Sequence, residues 1–173
     1  MHESRLTIMN NSIASLPQPD DVTHKEREDA MGAYLMMFAT WVISLPLPVL
    51  NLLAAVIYFY VNKGSSRFVA FHALQSLISQ TVTTILNVVL LGWLIRILIL
   101  NNQFDSRFWA YSIFVGLINL IYIIVSLVAM NKAHHGQMFY MPLIGTFVFD
   151  RYYVHKATDY NLKIPPNQPP SGR

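Results

Sequence analysis

Three long stretches of the chain, residues 30–62, 68–95 and 108–131, carry no Asp, Glu, Lys or Arg. A membrane-crossing helix needs about 20 apolar residues, so the second and third stretches each predict one span. The first is 33 residues long, too long for one ordinary span. It contains Ser44-Leu45-Pro46-Leu47-Pro48, and proline breaks or kinks a helix while biasing the residue before it away from helical geometry. This run therefore reads either as one kinked helix or as a tight hairpin of two short helices, 30–45 and 48–62.

The basic residues decide between these. With four spans, one side of the membrane holds Arg5, Lys25, Arg27, Lys63, Arg67, Lys132, Arg151, Lys156, Lys163 and Arg173. The other side holds only Arg96 and Arg107. With three spans the split is nearly even. The positive-inside rule favours the uneven split. The expectation is an all-α integral membrane protein with four transmembrane helices, at about 30–45, 48–62, 67–91 and 108–131, and both termini cytoplasmic.

Local signals set the boundaries. Residues 1–29 are polar and mixed in charge and read as a disordered cytoplasmic tail, with Thr23 to Glu26 able to cap a helix. Lys63-Gly64-Ser65-Ser66 is a turn ending in a cap before the third helix. Asp105 and Ser106 close a polar loop before the fourth. Gly92 marks an end of the third span, with 93–100 as an interfacial continuation. Gly136 can close the fourth helix. Residues 136–155 are aromatic and apolar but interrupted by Pro142 and Gly145, which predicts an interfacial or re-entrant amphipathic segment. Residues 156–173 read as a Pro-rich disordered tail.

Composition sharpens the class. Hydrophobic residues make up 54% and charged residues 12%, against about 25% charged in soluble domains. A soluble enzyme is excluded. The absence of Cys excludes disulfides, Cys-ligated metal centres and a thiol nucleophile. Basic residues mostly flank the apolar runs, so they follow membrane topology and do not point to nucleic acid. No phosphate-binding loop, nucleophile elbow or metalloprotease motif is present. The reading is non-enzymatic, with no cofactor and no metal.

The third helix carries the informative residues. His72, Gln75, Ser76, Ser79, Gln80, Thr83 and Asn87 fall within an arc roughly 140° wide at helical spacing. A polar arc inside a bilayer must face protein, water or a ligand. Two uses remain open: hydrogen-bonded glue within the bundle, or the lining of a groove for a polypeptide, ion or small solute. Ser112, Gly116, Asn119 and Ser126 offer a matching packing face on the fourth helix, with Ser112 and Gly116 as a small-xxx-small pair. His72 reads as a hydrogen-bonding histidine; a haem or pigment ligand is the minor alternative, since one imidazole alone makes a weak site.

The phrase Phe68-Val69-Ala70-Phe71-His72-Ala73-Leu74-Gln75, with Phe139-Tyr140-Met141-Pro142-Leu143-Ile144-Gly145, resembles elements of a Tic-like family of small membrane proteins. That family comprises bacterial four-helix proteins and the channel-like Tic subunit of the chloroplast inner-envelope translocon. The matched motif positions are Phe68, His72, Gln75, Pro142 and Gly145. The resemblance implies a subunit of a larger membrane assembly that assists polypeptide translocation or insertion, with other membrane subunits, or copies of itself, as partners in the bilayer. The alternative is a homo-oligomeric channel or small-solute carrier using the polar arc. The acidic residues of the N-terminal segment are unlike a plastid transit peptide, which points to a bacterial inner membrane.

Overall fold

The computed structural model describes residues 16–38, 48–100 and 103–154. Every element of regular structure among them longer than one residue is a helix. A single 3-10 turn, Pro19–Asp21, leads into α1, His24–Leu35, which runs into a second 3-10 turn, Met36–Phe38. Then come α2, Pro48–Asn62; α3, Arg67–Ile99; α4, Ser106–His134; and α5, Gly145–Tyr153. Residues 39–47, which hold the later part of the expected first span and its proline turn, lie outside the described residues, as do residues 1–15 of the expected tail and the segment 156–173.

Each helix begins where the chain supplies a partner for its first free N–H groups. The Thr23 hydroxyl oxygen accepts from the Glu26 N–H at 3.3 Å, and the Glu26 carboxylate accepts from the Thr23 N–H at 2.8 Å. This reciprocal cap starts α1 at His24, inside the stretch expected to be a tail. Bonding to the Thr23 backbone holds the Glu26 carboxyl below the usual carboxylate range. Pro48 opens α2, a position where its missing N–H costs nothing. Ser66 caps α3 through the Val69 N–H, and Asp105 caps α4 through the Phe108 N–H.

Gly136 ends α4 at φ +69°. Its N–H reaches the Ala133 carbonyl, and the Gln137 N–H reaches that of Lys132, which satisfies the last carbonyls. The left-handed conformation and the crowding both call for glycine. A β-carbon here would stand 3.0 Å from the Pro19 carbonyl oxygen and 3.2 Å from the Arg27 Nε. Arg27 in turn donates to the Val22 and Pro19 carbonyls at 3.0 and 2.7 Å. The N-terminal turn is thus clasped to the end of α4.

α3 runs the length of the molecule, with α1, α2, α4 and α5 packed against it. Gly92 does not end it: the helix passes through and stops at Ile99. At 1.5 Å per residue, α3 and α4 are about 50 and 43 Å long. Both are long and apolar enough to cross a membrane, while α2 is a shorter apolar helix. Only 11% and 17% of their most apolar stretches are buried within the chain, so neither is the hidden core helix of a soluble protein. Val82, Ile85 and Val89 on α3 and Ile113, Leu117 and Ile124 on α4 point outward. Those faces require an apolar solvent.

The interior is concentrated at one end. Ala30 and Tyr34 of α1, Phe68 of α3, Ala129 and Ala133 of α4, and Met141 form one buried cluster. Phe71, Val148 and Tyr153 form a second, which seats α5 on α3. The loop ahead of α5 turns through Leu143, at φ +68°, whose side chain is 99% exposed.

Candidate functional site

The seven polar residues singled out on α3 divide into two groups with different surroundings. His72, Gln75 and Ser76 lie in the closed end and are fully buried. Tyr34 Oη and His72 Nδ1 are paired at 3.0 Å. The imidazole packs edge-on against Phe68, Phe71 and Tyr34. Its buried Nε2 lies by the Gln137 backbone, short of good hydrogen-bonding geometry. No group of three His, Cys, Asp or Glu suited to a metal occurs among the described residues.

Gln75 ties three parts of the chain together. Its Nε2 donates to Tyr34 Oη at 3.0 Å and to the Phe139 carbonyl at 2.9 Å, and its Oε1 accepts from the Met141 N–H at 3.0 Å. One carboxamide therefore serves the backbone on both sides of Tyr140, as a neighbouring strand would. Ser76 Oγ donates to the Ala33 carbonyl at 2.7 Å and joins α1 to α3. Gly145 belongs to the same latch: a β-carbon there would lie 2.8 Å from the Tyr140 Cα. Pro142 is exposed beside it. Below the latch, Tyr153 Oη donates to Met138 Sδ at 3.9 Å. Burial pushes the Tyr153 phenol above its ordinary pKa.

The second group faces a cavity. Gln80, Thr83 and Asn87 of α3 line it with Asn119 and Tyr122 of α4 and Asn51 of α2. Ser79 lies one turn above, donating to the Ser76 carbonyl at 2.9 Å. Thr83 Oγ1 turns back to the Ser79 and Gln80 carbonyls. Asn87 and Asn119 bond each other reciprocally, at 2.9 and 3.0 Å.

The packing face expected on α4 is only partly used. Asn119 meets α3, and Ser126 is buried. Ser112 donates to the Phe108 carbonyl of its own helix at 2.8 Å. Gly116 is exposed, with nothing near the place of a β-carbon. Val115 is buried, and the next residue is turned about 100° away. The small-xxx-small pair therefore does not bring helices together within this chain. Tyr34 and Tyr122 were missed by sequence reasoning. The signal for Tyr34 was a single phenol after Gly32-Ala33, where a close approach is possible.

Comparison with known proteins places the chain. The profile of the MamF/MmsF family, described as the magnetosome magnetite crystal formation protein family, matches residues 25–148. The chain belongs to this family. The MamF/MmsF match begins in the first turn of α1 and ends inside α5, so it takes in the latch and the polar cavity. The chain is also 35% identical over 89 residues to the UPF0132 membrane protein MJ1443 of Methanocaldococcus jannaschii, covering 51% of this chain and 67% of that one. No solved structure matches.

The MamF/MmsF match overturns the Tic-like resemblance, and the translocation role drawn from it goes with it. The phrases that suggested it, around His72–Gln75 and Pro142–Gly145, encode the latch between α3 and the loop before α5. In this chain they form a local packing device. The chain is a membrane protein of the MamF/MmsF family.

Proposed function

We propose that this protein is a non-enzymatic integral membrane subunit of the assembly that surrounds a growing magnetite crystal in a magnetosome-type membrane. The family match across residues 25–148 carries the reading. In this role the protein acts by its place among other subunits, not by moving iron. A hard cation needs oxygen ligands, usually with carboxylates among them, and α2, α3 and α4 contain no Asp or Glu. The latch and its buried hydrogen bonds suit a rigid structural unit.

The topology that fits this role is four spans in a bacterial inner membrane or a membrane derived from it, with both termini cytoplasmic. The distribution of basic residues supports it. Topology reporters fused at residues 64, 103 and 160 will then read in, out and in.

The functional test is replacement. A magnetosome-forming bacterium lacking its own family member receives this chain, and crystal size is measured by electron microscopy. Restored crystal dimensions are the expected result. If the protein reaches the membrane fraction and the crystals stay as in the deletion strain, the proposal fails.

A further inference from the structure

The cavity between α2, α3 and α4 has a volume of about 290 Å³ and is partly open. Amides and hydroxyls share its walls with Met37, Phe38, Pro48 and Ile123, and among the described residues no charged side chain lines it. Gln80 is 2% exposed. Its Nε2 donates to Ser76 Oγ at 3.1 Å, but its Oε1 is buried without a partner. The Tyr122 hydroxyl on the facing helix is also buried and short of good hydrogen-bonding geometry, with the Ser79 and Ser126 hydroxyls beside it. A bare acceptor of this kind in low dielectric costs about 1–3 kcal/mol. A polar, roomy site with several polar neighbours is where a guest replaces that loss.

We propose that this cavity is a binding site for small uncharged hydrogen-bonding molecules, filled either by a water cluster or by a small polyol or amide solute. The chemistry of the walls selects this class. Gln80 Oε1 asks for a donor, and the Tyr122 hydroxyl gives or accepts one. A charged guest would meet no countercharge and would keep its full desolvation penalty. The Asn87–Asn119 pair is already satisfied and forms a closed boundary. One water takes about 30 Å³, so the space suits several waters or one compact solute.

The chain has no cysteine, so an introduced thiol is the sole reactive one. The full chain carrying Thr83→Cys is reconstituted in vesicles and treated with iodoacetamide, a neutral water-soluble reagent. Ile85→Cys, on the outward apolar face and 58% exposed, is the lipid-facing control. Only the thiolate reacts, and a hydrated thiol ionises where one in hydrocarbon does not. Thr83→Cys is expected to react at least about tenfold faster. Slowing by added acetamide or glycerol assigns the site to a solute; no slowing assigns it to water. Equal rates at the two positions overturn the proposal. Radical footprinting of the unmodified protein by X-ray-generated hydroxyl radicals decides the matter if the variants fold poorly. Tyr122 is then oxidised while the packed Tyr34 is silent, and a silent Tyr122 overturns the site.

Discussion

At the scale of single residues, the molecule depends on a few side chains that each complete someone else's hydrogen bonding. Gln75 is the clearest. Replacing it with Leu strands the Phe139 carbonyl and the Met141 N–H, both held by this one side chain. Each buried group left unpaired costs about 1–3 kcal/mol, so Gln75→Leu is expected to lower stability by about 2–4 kcal/mol. Chemical denaturation in detergent, with hydrogen exchange at Met141, measures it. Glu26 gives a pH-dependent case. Its carboxyl is held low by the Thr23 backbone, so its contribution is present above the ordinary carboxylate range. That contribution is lost as pH falls through the folded value. An NMR titration of Glu26 is expected to show a midpoint below the ordinary glutamate range, moving back toward that range in Thr23→Pro, which has no N–H to give. Both residues stand out in the sequence, but unequally. The Thr23–Glu26 spacing announces its own local cap. Gln75 shows only that it lies on a polar arc, because its partners come from 41 to 66 residues away.

Among helices, period alone tells which residues share a face, not which face is covered. The polar arc of α3 was legible for that reason, and its division into a closed end and a cavity was not. α1 occupies only one end of α3, and the arc does not encode that. On α4 the same limit misassigned Gly116, one position away from the buried Val115. The Asn87–Asn119 bridge tests how these two helices are joined. Asn87→Leu alone leaves Asn119 without its partner, so the double Asn87→Leu/Asn119→Leu is expected to lose less stability than the two single variants summed. Pairwise coupling of about 0.6–1.7 kcal/mol is the range for polar pairs between membrane helices. A double-mutant cycle on unfolding in bicelles reads it directly.

Over the whole molecule, the apolar runs gave α2, α3 and α4 and their lipid-facing character, but not α1, which opens on charged residues and ends at Leu35; the charge asymmetry gave a topology to test. The clasp between the first turn and the end of α4 is a property of the full chain. Gly136→Ala forces a β-carbon against Pro19 and Arg27 at a left-handed backbone position. The expected cost is about 1–2 kcal/mol, with faster hydrogen exchange at Val22 and little change in α2.

That clasp also sets an order of events during synthesis. Arg27 leaves the ribosome early, and Gly136 follows roughly a hundred residues later, about 5–20 s at ordinary elongation rates. Tyr34 waits as long for Met141, the neighbour with which it shares its cluster. During that interval α1 can meet α3 through Ser76 and Phe68, but it lacks Ala129, Ala133 and Met141 of its cluster. The clasp and the cluster around Tyr34 close only after the chain beyond α4 has been made, so this end of the molecule is sealed late.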